Sequence, residues 1–404
     1  MMRTSIMFTL ISAMVLSSCG TVRPPIAGCG VQVAMPDVGQ SLSDPLESPP
    51  DAPIAEGMAN FSMADAFRDA VETAPQAAGS GPVTVEILAL SAGGQFGAFG
   101  AGFMRGWAEN PVTPRPVFRL VTGVSAGAMI APIVFAGTNF DEALDGYRGL
   151  SEADVFRRKP LTSLISAPSF ADVTPLEAFV TSRMSDELIN SIGRNYEEGR
   201  GLFILATDLD TTEAAVFNLG DIAASSRPLE QKRDCIREAM LASAAIPGLF
   251  PPRNIDGSLF ADGGLRDQIF LESIEEARQE TIRKTGRNIR VSATIVINGS
   301  LRPPETEVRD GLLSYAKRAA SILADEVLRD SISEVVTFAQ SQPNWTVRGM
   351  IADTDLSQCP VEDLEGTFDP CVTQSIFDDG RQKARLPRIP WLGPDELLEL
   401  AGRL

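Results

Sequence analysis

The chain has 404 residues, 44% hydrophobic and 22% charged, enough to bury a sizeable core in two domains or in one large domain with additions. A formal net charge of −18 argues against a nucleic-acid partner, which needs a basic footprint, and against electrostatic docking on anionic lipid. With no histidine and no CxxC there is no expected metal site, and no cofactor is expected either.

In chain order, Arg3 precedes the apolar run Ile6 to Leu16, which is too short to span a bilayer and has the layout of an export signal. The sequence Leu16-Ser17-Ser18-Cys19 resembles the lipobox of bacterial lipoproteins. That resemblance implies a signal peptide over residues 1–18 and a lipid on Cys19, which becomes the new N-terminus. A plain signal with an incidental cysteine is the alternative. Residues 19–60 are rich in Pro, Gly, Ser and Asp and lack periodicity, as a flexible tether would. The expected location is the cell envelope, anchored to a membrane through the N-terminal lipid. Gly20 after Cys19, in place of aspartate, favours the periplasmic face of the outer membrane. The other cysteines, Cys29, Cys235, Cys359 and Cys371, can pair in three ways. Cys359 and Cys371 bracket a short loop whose closure would contribute about 3 kcal/mol; two free thiols are the alternative.

From Pro82 strands and helices alternate. Val83 to Ser91 is a β-branched, largely apolar strand buried on both faces, followed by a small-residue helix in "AFGAGFMRGWAE". "VFRLVTG" is the next strand and "AGAMIAPIVFAG" its helix. "GLFILATDLD" and "AAVFNLG" read as strands, and "DCIREAMLASAAIPGLFPP" as a helix ending at Pro247. "GSLFADGG" is a short strand breaking into a turn. A surface helix, "IFLESIEEARQETIRK", and a buried strand, "NIRVSATIVING", follow. Such alternation predicts an α/β fold with a mostly parallel sheet covered by helices on both faces. Beyond it lie a long amphipathic helix over Arg309 to Gln340, an edge strand in "WTVRGMIAD" and two short helical pieces.

Three stretches carry chemistry. "LVTGVSAGAMIAP" holds Gly123, Ser125 and Gly127 as G-x-S-x-G at a strand-to-helix turn, the setting of a nucleophile elbow; a helix N-cap serine is the alternative. "LSAGGQFGAFGAG" is a glycine-rich turn after the first strand. It spells neither G-x-G-x-x-G nor a Walker A loop, which leaves an oxyanion hole from the N–H groups of Gly93 and Gly94, or a tight junction. "LFADGGL" places Asp262, Gly263 and Gly264 at a strand end, by default a turn. Without histidine, a serine nucleophile needs another base. The five lysines all lie in polar contexts, so a carboxylate remains, and strand ends of a parallel sheet meet at its carboxyl edge. Asp208 and Asp210 in "ATDLD" read as structural loop residues.

Together with "ATDLDTTEAAVFNLG" and "SAAIPGLFPP", these stretches resemble the patatin-like phospholipases from about Val83 to about Asn298. The resemblance implies a three-layer α/β/α sandwich, no cofactor, and hydrolysis of lipid esters by a serine–aspartate dyad. Carried over, Ser125 is the nucleophile, Asp262 its partner, Gly93 and Gly94 the oxyanion hole, and Gly97, Gly123, Gly127, Gly263 and Gly264 the motif glycines. The family's loop commonly reads G-G-G-x-R/K-G; here Ala92 opens it and Phe96 replaces the basic residue. The expected catalytic domain is 61–300, with 301–404 an extension packed on it. A lipid or ester substrate follows. A catalytically silent lipid-binding or assembly lipoprotein, or an acyltransferase, are the other readings.

Overall fold

A computed structural model describes residues 28–29, 32–34, 63–74, 81–160, 169–271, 273–299, 308, 310–359 and 368–402. The expected signal peptide and Cys19 lie outside the described residues. In chain order the elements are β1 (Gln32–Ala34), α1 (Met63–Glu72), β2 (Val83–Leu90), α2 (Gly97–Ala108), β3 (Leu120–Val124) and α3 (Ala126–Ala136). Next come α4 (Glu152–Val155), the two-residue strands β4 (Arg157–Arg158) and β5 (Ala171–Asp172), α5 (Thr174–Arg183) and α6 (Asp186–Glu197). Then follow β6 (Gly201–Asp208), β7 (Ala214–Asn218), α7 (Leu219–Ala224), α8 (Leu229–Ser243), β8 (Arg253–Ile255) and β9 (Ser258–Asp262). The chain closes with α9 (Ser273–Thr285), β10 (Ile289–Ile297), α10 (Leu312–Ser341), β11 (Trp345–Ile351), α11 (Pro370–Arg385) and α12 (Pro394–Leu400).

Among the described residues, nine strands form one sheet whose centre, β11-β10-β2-β3-β6, is parallel throughout. The apolar runs behave as buried strands should. Val83, Val85, Ile87 and Ala89 of β2 enter the core on one face, and Leu88 and Leu90 enter the core on the other. Helices α2, α3, α6, α8 and α11 cover one face, and α1, α9, α12 and the second half of α10 cover the other. The architecture is a three-layer α/β/α sandwich. Of the closing helices, α11 spans 16 residues and packs closely along α2. The chain beyond 300 also supplies β11, the edge strand beside β10.

Two pieces of the expected tether are fastened to the body. Cys29 is disulfide-bonded to Cys235 in α8, and β1 pairs antiparallel with β7. The β-branched and apolar residues of "VQVA" suit a strand, a signal that the Pro- and Gly-rich surroundings obscure. Cys359 and Cys371 form a second disulfide.

The sheet departs from the sequence reading at β9, and the departure positions the site. Asp262 was expected at the carboxyl end of a parallel strand, but β9 runs antiparallel to β6. One edge of β6 pairs with β3 up to Val124↔Leu205, and the same edge pairs with β9 from Ala206↔Asp262 onward. Strands β3 and β9 therefore meet head to head on adjacent rungs of β6, and their last residues bring Ser125 and Asp262 together.

Candidate active site

Ser125 sits between β3 and α3 with φ 50° and ψ −114°, a backbone conformation that costs of order 1–3 kcal/mol for a residue with a side chain. The flanking glycines make the turn possible. A Cβ on Gly127 would fall 2.1 Å from the carbonyl oxygen of Leu90, so only glycine lets α3 start so close to β2. Gly123 lies against the Gly127 carbonyl, and Gly97, the first residue of α2, lies against Ala126.

The serine is nearly buried, and its hydroxyl donates to Asp262 Oδ2 at 2.7 Å. Asp262 Oδ1 accepts the Gly264 N–H at 2.8 Å. Asp262 is fixed through its backbone as well: its N–H donates to the Ala245 carbonyl, and its own carbonyl accepts the Thr207 hydroxyl. Gly263 crosses directly over the Leu205 carbonyl. Burial lifts the Asp262 carboxyl from its ordinary 3.8 to about 6, against the opposing pull of the hydrogen bonds from Ser125 and Gly264. A carboxylate so placed is a stronger base than one in water and is still ionised at neutral pH.

The glycine-rich turn is held from below by Asn298, which is fully buried. Its Nδ2 donates to the Ser91 carbonyl, its backbone N–H donates to Ser91 Oγ, and its Oδ1 accepts the Gly100 N–H. Gly93 passes so close that a Cβ there would lie 1.3 Å from the Asn298 carbonyl oxygen. Gly94 has φ 54°, and neither its N–H nor that of Gly93 donates to an acceptor among the described residues. Two donors are thus left in the turn that leads into α2, and Gly94 lines the same cleft as Ser125.

Some residues here had no signal in the sequence. Ser243, the last residue of α8, accepts the Ser125 N–H at 2.9 Å and donates to the Leu205 carbonyl at 2.6 Å, tying the elbow to β6. Asn298 and Thr207 are likewise polar side chains at strand ends, which no spacing rule distinguishes from surface residues. Asp208 accepts the N–H groups of Asp210 and Thr211 and closes a loop.

Ser125 lies on the wall of a cleft of about 570 Å³, partly open to solvent. Gly94, Gly97, Met129, Leu176, Phe250 and Phe368 are among its lining, and no charged side chain is. Phe96 packs on the neighbouring core. Met129, Tyr147 and Phe179 separate the cleft from a second, small and largely apolar pocket that Arg183 also lines. The Tyr147 hydroxyl donates to the Met129 carbonyl and its ring meets Phe179 edge-on, which fixes this partition. Among the described residues, no group of three or more His, Cys, Asp or Glu is placed to hold a metal ion.

The family model for patatin-like phospholipases matches residues 88–274, from within β2 to the start of α9. The chain carries a patatin-like phospholipase domain. Its glycine-rich turn, Ser125 elbow, Ser243 and Asp262 all fall inside that span, whereas Asn298 lies beyond it. The patatin-like domain is also similar to uncharacterized NTE family proteins of Mycobacterium bovis and Mycobacterium tuberculosis, 26% identical over 237 residues. The match covers 56% of this chain and 57% of each relative, so the chain spans little more than half the length of those proteins. The crystal structure of VipD from Legionella pneumophila is similar at 14% identity and a TM-score of 0.31, covering 74% of this chain and 66% of that one.

Proposed function

We propose that the chain is a lipid acyl hydrolase working through Ser125 and Asp262. The observation that carries this reading is the 2.7 Å hydrogen bond from Ser125 Oγ to a buried carboxylate, made at the wall of an uncharged cleft. An acyl chain enters the cleft, and its ester carbonyl comes to rest over Ser125. Asp262 takes the hydroxyl proton as Oγ attacks, so the base is the carboxylate itself. The N–H groups of Gly93 and Gly94 receive the oxyanion; one such donor typically contributes about 2.7–4 kcal/mol to lowering the barrier. Protonated Asp262 returns its proton to the departing alcohol, and water, deprotonated by Asp262 in turn, releases the fatty acid. The apolar, uncharged lining supports an acyl group inside and a head group outside.

The N-terminal apolar run and Cys19 would hold the enzyme by a lipid anchor in the cell envelope, and mass analysis of the N-terminal peptide tests that. Labelling with a fluorophosphonate probe tests the chemistry. Wild type is expected to react and Ser125→Ala not to. Labelling that persists in Ser125→Ala would remove Ser125 as nucleophile. Product analysis with a lysolipid acceptor present separates hydrolysis from acyl transfer.

A further inference from the structure

The long helix α10 changes character along its length. One stripe faces the body throughout. In the second half it is apolar, with Leu328, Ile332, Val335 and Ala339 buried, and the outward residues Asp330, Glu334 and Gln340 are polar. In the first half the pattern is reversed. The half-buried residues at the same helical phase are Ser314, Arg318, Ser321 and Asp325, and the exposed ones are Tyr315, Ala319, Ala320, Ile322, Leu323 and Ala324. Ile322 is 55% exposed and Leu323 67%. At 3.6 residues per turn these exposed residues cover an arc of roughly 200°, and the exposed Glu326 falls inside that arc at the C-terminal end of the segment.

This inverted segment lies near the turn that follows Asp262. Helix α10 contacts the turn Gly263–Leu265 that follows Asp262, and Gln268 Nε2 donates to the Ala324 carbonyl. Leu265 in that turn is 47% exposed, and Ile246, which lines the cleft, is 37% exposed. Exposed apolar side chains thus stand both at the cleft and at the turn that α10 contacts.

We propose that the first half of α10 is a lipid-surface contact that seats the cleft mouth against an uncharged or zwitterionic interface. The width of the arc selects this occupant: a partner helix covers a stripe of about 100°, whereas an acyl-chain boundary surrounds a helix on all its outward sides. Nearness to the site supports it too: α10 contacts the turn that follows Asp262, so a surface seated on the helix lies close to the cleft that holds Ser125. The net charge of −18 disfavours an anionic surface. The contact needs neither the N-terminal lipid nor turnover.

The test uses the full chain carrying Cys19→Ala and Ser125→Ala, with an environment-sensitive fluorophore on Leu323→Cys or, as a control, on Val112→Cys. Val112 is 64% exposed and lies at the opposite edge of the sheet, between α2 and β3. Phosphatidylcholine vesicles are expected to shift emission at 323 to the blue and leave 112 unchanged. With Ser125 intact, the pair Ile322→Gln and Leu323→Gln is expected to lower vesicle binding at least about tenfold, while hydrolysis of a monomeric short-chain ester stays unchanged. No shift at 323, or equal shifts at both positions, overturns the proposal. So does a shift at 323 that follows protein concentration without vesicles, which would assign the face to a second copy of the chain. Loss of ester hydrolysis in the parent protein would count against the hydrolase reading alone, so the two failures are distinguishable.

Discussion

Replacing Asp262 with asparagine should damage activity and improve stability at once. The amide keeps the shape of the carboxylate and can still accept the Gly264 N–H, but it turns an NH2 toward Ser125 Oγ and cannot take its proton. Loss of a general base costs about 10²–10⁴-fold in rate. Stability moves the other way. The folded chain raises the Asp262 carboxyl from 3.8 to about 6, so it holds that proton more tightly than the unfolded chain does. The stability from this group is therefore fully present below pH 3.8 and lost as pH rises to about 6, and above that the buried charge is a standing cost. A rise of that size corresponds to about 3 kcal/mol. Because the asparagine gives up part of the hydrogen bonding to Ser125, a net gain of about 1–3 kcal/mol is expected at pH 8, shrinking toward zero near pH 4. Urea unfolding at several pH values measures the gain, and kcat/KM on a short-chain ester measures the loss. An Asp262→Asn protein less stable than wild type at pH 8, or within tenfold of its activity, would refute the reasoning.

In the wild type, kcat/KM should fall as pH drops through about 6, because a protonated Asp262 cannot accept from Ser125, and a pH–rate profile reads this directly. Ser243→Ala leaves the Ser125 N–H and the Leu205 carbonyl without their shared partner. A stability loss of about 1–3 kcal/mol and a fall in kcat larger than any change in KM are expected, checked by urea unfolding and steady-state kinetics. Gly93→Ala places a methyl 1.3 Å from the Asn298 carbonyl, so the glycine-rich turn must move and fluorophosphonate labelling should slow at least about 100-fold. Phe179→Ala opens the partition between the two cavities and should shift preference toward longer acyl chains, measured by comparing kcat/KM across a series of esters.

Local patterns in the sequence carried much of the fold. The β-branched run at Val83 to Leu90, the helix behind Ser125 and the strand–helix alternation follow from periodicity, which acts over a few residues. The direction of β9 does not. Whether "SLFAD" pairs parallel or antiparallel depends on β6, more than 50 residues earlier, and the apolar pattern of so short a strand is the same either way. Ser125 was legible because glycines on both sides are sterically required. Elimination left a carboxylate as the base in a chain without histidine, and the family resemblance singled out Asp262. Ser243 and Asn298 were not legible, because a buried polar side chain is recognisable only through its partners. The tether reading of residues 19–60 rested on composition, and three possible cysteine pairings left Cys29 without an assigned partner, because that partner lies in a distant helix. The reversal of polarity along α10 was hidden because the whole segment reads as one amphipathic helix until the body-facing stripe is known.

The head-to-head arrangement of β3 and β9 has an evolutionary corollary. Ser125 and Asp262 are 137 residues apart, yet their alignment depends on neighbouring rungs of one strand rather than on the intervening chain. Strand β6 serves as a gauge, and the segments between α3 and β6 can lengthen, shorten or be exchanged without disturbing the spacing it sets. Those same segments supply Tyr147, Leu176 and Phe179 to the cleft. Substrate preference can therefore drift by loop replacement while the reacting pair stays in place.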